Sequence, residues 1–184
     1  MIDIKLLEQL CLCNGISGDE GNVRNLIINE IKDCADDIKT DNLGNLIVFK
    51  KGKKSAKSKL MVSAHMDEVG LMVTDITSDG YLKFDEVGGI DRRVLPGKRV
   101  CVGRNGLNGV IGVKPIHLTN GDEKTAVPKM NDMYIDIGAE SREDALKYVN
   151  YGDGINFEGD FKINGKTVVT KAPVSYTHLR AHET

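Results

Sequence analysis

Apolar positions along the first third of the chain recur at two different intervals. Leu6, Leu7, Leu10 and Cys11 fall at helical spacing, which predicts an amphipathic helix over about residues 3–13. Asn14-Gly15 ends it, and Ser17-Gly18-Asp19-Glu20 fits a capping box, with Ser17 as N-cap and Glu20 at the third helical position. Val23, Leu26, Ile27 and Ile31 give the following helix one apolar face. After Asp36-Asp37 the interval shortens. Strands are predicted at Ile38–Thr40 and Asn45–Phe49 around the turn Asp41-Asn42-Leu43-Gly44. Lys59-Leu60-Met61-Val62 reads as a further strand, buried and preceded by a lysine-rich loop.

From Val69 the pattern changes to short apolar runs separated by glycine-containing turns. The runs are Leu71–Ile76, Tyr81–Phe84, Arg99–Val102, Val110–Val113 and Met133–Ile137, with turn signals such as Ser78-Asp79-Gly80, Pro96-Gly97 and Asn120-Gly121 between them. Many short strands at this spacing predict a small closed β-barrel or sandwich. One helix interrupts it, opened by Ser141-Arg142-Glu143-Asp144. Lys166–Lys171 reads as a strand returning toward the first part, whereas Pro173–Thr184 shows no periodicity. The predicted organisation is therefore an α/β start over residues 1–69 and a β-rich insertion over 70–163. A return follows over 164–172, then a tail over 173–184.

The chemistry concentrates in Ser63-Ala64-His65-Met66-Asp67-Glu68-Val69-Gly70. A histidine and two carboxylates at the end of a strand stand where open α/β sheets hold their ligands. Residues two apart on a strand share a face, so Asp67 can hydrogen-bond the ring of His65. Such a carboxylate fixes the tautomer and raises the basicity of a metal-bound imidazole. The alternative is a polar turn in which Asp67 merely satisfies His65. Glu68 either lines the same site or points to the other face.

Other candidates are weaker. His117, after Pro115-Ile116, reads as structural. Gly88-Gly89 lacks the strand-to-helix context of a phosphate loop and reads as a turn. Asp91-Arg92-Arg93 fits either an oligomer contact or an exposed charged loop. His178 and His182, four apart and beside Glu183, imitate one face of a metal-binding helix but lie in the aperiodic tail.

Composition excludes more than it suggests. Hydrophobic residues make up 40% and charged residues 28% of the 184, a globular balance. A net charge of -2 gives no electrostatic footprint for nucleic acid. Six lysines between Lys50 and Lys59 are broken up by Gly52, Ser55 and Ser58, as in a solvated loop. No apolar run approaches the ~18 residues of a membrane span, and the N-terminus lacks a signal-peptide layout. Cys11, Cys13, Cys34 and Cys101 share no ligand spacing and are expected to be reduced, mostly buried thiols of a cytoplasmic protein.

Six segments in order carry a family likeness: Gly15-Ile16-Ser17-Gly18-Asp19-Glu20, Asp41-Asn42-Leu43-Gly44-Asn45, Ala64–Gly70, Gly88-Gly89-Ile90-Asp91, Gly109–Gly112 with Pro115 and His117, and Asp132–Ala139. The chain thus resembles the cytoplasmic dinuclear-metal aminopeptidases, the tetrahedral and glutamyl aminopeptidases, some of which carry the name endoglucanase. The likeness runs to about residue 172. It implies the first part of a mixed-sheet metallopeptidase catalytic domain with an inserted β-barrel dimerisation domain. It also implies two divalent ions, zinc or cobalt, a peptide substrate, and a homo-oligomer, either a dimer or a twelve-subunit shell. By the same likeness His65 is a ligand of one metal, and Asp67 belongs to the catalytic set as its orienter.

After Ala172 the chain leaves the family pattern. The bridging aspartate, the general base, the remaining carboxylates and the second histidine have no counterpart in Pro173–Thr184. That tail resembles translated cloning or adapter sequence and is set aside from fold reasoning. The expectation is a truncated, inactive portion of an aminopeptidase, or else a non-catalytic β-domain acting only in association. Glycoside hydrolysis would need two suitably spaced carboxylates, and no particular pair stands out.

Overall fold

The computed structural model describes residues 3–54, 58–114 and 127–171. His117, His178, His182 and Glu183 lie outside the described residues, as does the tail. The chain divides into two compact units, one holding the described residues through Asp67 and from Phe161 on, the other Glu68–Asp160.

The first unit opens with α1 (Ile4–Leu12), where the Asp3 carboxylate caps the helix by accepting from the backbone N–H groups of Lys5 and Leu6. A second helix, α2 (Gly21–Ile31), begins three residues later than the capping box predicts. Glu20, not Ser17, stands at its N-cap and makes no side-chain capping bond. The reason is competition: the Ser17 hydroxyl donates to Asp67, and the Glu20 carboxylate accepts from the backbone N–H of Gly18 at 2.6 Å. Strands β1 (Asp37–Thr40) and β2 (Leu46–Phe49) then pair antiparallel. Their turn is tied by Asp41, whose carboxylate accepts from the backbone N–H of Leu43 and Asn45 and from the Asn45 amide.

The buried strand expected at residues 59–62 is not formed. Leu60, Met61 and Val62 are 92%, 87% and 81% exposed, and the segment belongs to no sheet. A strand is held by its neighbours, and among the described residues none pairs with this one. The expectation for cysteine burial also needs correction, since Cys11 is buried but Cys34 is exposed and the other two are intermediate.

The second unit closes on itself. Strands β3 (Gly70–Ile76), β4 (Leu82–Val87), β5 (Arg99–Val102), β6 (Leu107–Val113), β7 (Met133–Asp136) and β8 (Gly154–Phe157) form a barrel in the order β3-β4-β7-β6-β5-β8. Closure leaves no sheet edge to be covered. A register shift between Val73 and Asp75 inserts one extra residue in β3. The inward series therefore runs Leu71, Val73, Ile76 instead of keeping strict alternation. Leu82, Val100, Val102, Ile111, Met133, Ile135 and Ile155 complete an interior at or below 1% exposure. Burial of each contributes about 1.5–3 kcal/mol, which is what holds the barrel. The short helix α3 (Arg142–Ala145), capped by Ser141, seats Ala145 against this core, and the turn after it adds Val149.

After the barrel the chain forms a hairpin of β9 (Lys162–Asn164) and β10 (Thr167–Val169). The predicted strand near residue 168 is thus present, but its partner is β9.

Candidate functional site

The loop between α1 and α2 is built to present one hydroxyl. Ile16 is buried at 3% exposure and anchors the loop. The N–H of Asp19 donates to the Ile16 carbonyl at 2.9 Å, closing a four-residue turn. Gly18 takes a positive φ of 91° at the third position of that turn, the geometry of a type II turn that favours glycine there. Ser17 is left at the exposed second position, and its Oγ donates to Oδ2 of Asp67, fifty residues away. Gly15, just before this turn, packs tightly on α2 and lies beside Met66. A side chain on Gly15 would put its Cβ 2.5 Å from Cγ2 of Val23 and 3.6 Å from the carbonyl oxygen of Met66.

The other oxygen of Asp67 faces the histidine. Oδ1 lies 3.1 Å from Nδ1 of His65, and the same ring nitrogen lies 2.9 Å from the backbone oxygen of Asp67. Both partners are acceptors, so Nδ1 carries the proton. In the neutral ring the lone pair is then on Nε2, the form in which histidine binds a metal. The expected pairing of His65 with Asp67 is therefore present, in irregular backbone rather than at a strand end. The hydroxyl of Ser17 holds the Asp67 carboxyl below the usual carboxylate range; partial burial opposes this, and the carboxylate's bond to its own backbone and the nearby His65 add to it. Asp67 thus stays ionised at neutral pH.

His65 and Asp67 remain accessible, with 58% and 38% of their side-chain surface exposed. Among the described residues no group of three or more His, Cys, Asp or Glu could hold a metal ion. A shallow depression lies elsewhere, on the barrel beside the ion pair of Arg99 and Glu158 at 3.1 Å. None of Ser17, His65 and Asp67 lines it. Asp91, Arg92 and Arg93 form an exposed charged loop in which Asp91 pairs with Arg93, and Arg92 with Glu86 at 3.0 Å.

Residues 44–173 match the model of the M42 glutamyl aminopeptidases. The chain belongs to that family. Within the M42 family, a proposed aminopeptidase of Acetivibrio thermocellus is 48% identical over 91% of this chain and 48% of its own length. The crystal structure of a Thermotoga maritima protein named endoglucanase is 43% identical, with a TM-score of 0.79 over 90% of this chain and 49% of its own. The TET1 peptidase of Pyrococcus horikoshii, described as assembling into a tetrahedron or a large octahedral shell, is 44% identical. Its TM-score is 0.76, over 88% of this chain and 48% of its own. The chain therefore spans about half the length of the M42 relatives it matches.

Ser17 is the residue of this site that sequence reasoning placed elsewhere. It was legible only as a helix cap, since nothing local distinguishes a capping serine from one that reaches a distant carboxylate.

Proposed function

We propose that this chain is the N-terminal portion of a metal-dependent aminopeptidase that releases N-terminal residues from peptides in the cytoplasm through a dinuclear centre. In this reading His65 is a ligand and Asp67 its orienter, and the full-length protein forms a homo-oligomer. The observation that carries the reading is the His65 ring with Nδ1 against the carboxylate and backbone oxygens of Asp67, in a chain of the M42 family.

The described residues do not by themselves fit such a centre. Catalytic zinc typically takes three protein ligands, and no cluster of that size is present among them. No reaction step is assigned to this chain alone. What its residues do is narrower: Asp67 keeps one proton on Nδ1 and so makes Nε2 the acceptor nitrogen of the ring. A second reading has its own support. Among the described residues the closed barrel has a core of its own, and in that second reading this unit acts through association without hydrolysis.

The test uses aminoacyl-p-nitroanilides with added zinc or cobalt. The 184-residue chain is expected to show no chelator-sensitive release above background. A chimera joining residues 1–171 to the second half of the 48% identical relative is expected to hydrolyse them, and His65→Ala in the chimera to abolish this. Robust activity of the short chain, or a folded chimera without activity, would overturn the reading.

A further inference from the structure

We infer that Ser17 is a positioning residue: its hydroxyl clamps one carboxylate oxygen of Asp67 so that the other holds His65 in the Nδ1–H tautomer. The importance of that tautomer rests on the function proposed above, but the positioning can be read without any activity.

The geometry has three parts. Asp67 has two carboxylate oxygens and uses them in different directions, Oδ2 toward Ser17 and Oδ1 toward His65 Nδ1 at 3.1 Å. A carboxylate with only one of these partners can rotate about its terminal torsion, which is broad and roughly two-fold. With both partners it is held at two points. The Ser17 end is itself fixed, because the turn from Ile16 to Asp19 is closed by a backbone hydrogen bond of 2.9 Å and anchored by buried Ile16. A Cβ on Gly15 would lie 3.6 Å from the carbonyl oxygen of Met66, so the loop runs alongside the 65–67 segment. Ser17, free of any capping duty at α2, has this bond as its evident task.

A purely structural staple makes a different prediction. Loss of a staple lowers stability and leaves the ring unchanged; loss of a positioning group frees Oδ1 and leaves Nδ1 only the backbone oxygen of Asp67 at 2.9 Å.

The experiment is long-range proton–nitrogen correlation on the 15N-histidine-labelled 184-residue chain at about pH 8. The His65 signals are assigned with His65→Gln. The wild-type ring is expected in the Nδ1–H form. In Ser17→Ala the ratio of Nδ1–H to Nε2–H is expected to fall about fivefold, the scale of one ordinary hydrogen bond. Ser17→Thr, which keeps the hydroxyl, is expected to retain the wild-type pattern, and the backbone amide spectrum serves as the control for folding. An unchanged ratio in Ser17→Ala overturns the inference. So does a wild-type ring with evenly mixed tautomers, which needs no variant. Failure of the chimera described above would remove the catalytic meaning of the ring and leave this result standing.

Discussion

Gly80→Ala tests the account of the barrel most directly. Gly80 sits in the tight connection from β3 to β4, where Gly80 N–H donates to the Thr77 carbonyl at 3.1 Å and Thr77 N–H to the Tyr81 carbonyl at 2.8 Å. Two separate penalties meet there. The residue holds φ at 85°, a region that costs a side-chain-bearing residue roughly 1–2 kcal/mol. An added Cβ would also lie 2.7 Å from the carbonyl oxygen of Ala139 and 2.9 Å from its carbon. Those are backbone atoms, so relief requires moving the chain that leads into α3, and overpacking of this kind costs about 1–3 kcal/mol. The stiffer unfolded chain offsets about 0.4–1 kcal/mol. The net expectation is a loss of about 2–4 kcal/mol of barrel stability. Tyrosine fluorescence during urea unfolding reports it cleanly. The chain has no tryptophan, and four of its five tyrosines, Tyr81, Tyr134, Tyr148 and Tyr151, belong to the unit Glu68–Asp160, so Tyr176→Phe is used as the background. Gly89→Ala is the control, since nothing lies within 4 Å of its added Cβ, and its effect should stay within about 0.5 kcal/mol. If Gly80→Ala unfolds at the same urea concentration as Gly89→Ala, the reasoning about that turn is wrong.

Two further outcomes are expected. The side-chain bond from Arg93 holds the Asp91 carboxyl down to about 2. Because the folded value is depressed, any stabilisation from this pair is fully present above the unfolded carboxylate range near 3.9 and is lost as pH falls through about 2. A carbon-detected NMR titration of Asp91 checks it, and a midpoint near 4 would refute the pairing. Limited proteolysis should leave a resistant fragment covering about Glu68–Asp160. Even resistance along the whole chain, or early cuts within the paired barrel strands, would count against the closed barrel as the most stable part.

Much of the barrel was legible because its strands are short, alternate in period two and end at glycine turns. Arg99–Val102 was predicted to the residue. What escaped depended on neighbours. The extra residue in β3 leaves no mark in composition, and it alone decides that Ile76 rather than Asp75 faces inward. Strand β8 has no such signature, because Gly-Ile-Asn-Phe buries Asn156 beside Ile155 and so hides the alternation. The run at Leu60–Val62 was read as buried from hydrophobicity, whereas burial belongs to whatever packs against a segment. At the site, the pairing of His65 with Asp67 was readable since it depends on a spacing of two. Ser17 was not, because its acceptor lies fifty residues on, and a local rule offered a simpler use for its hydroxyl.

The position of β3 and β8 in the barrel has a consequence of another kind. They are the first and last barrel strands, yet they are antiparallel neighbours, with Leu71 opposite Ile155 and Met72 opposite Gly154. The chain therefore enters and leaves the barrel side by side. To a host protein such a unit looks like one lengthened surface turn. Loop closure grows only slowly with length, by about 0.6 kcal/mol for each doubling. The barrel thus needs only two adjacent strand ends, Gly70 and Phe157, to join it to the rest of the chain.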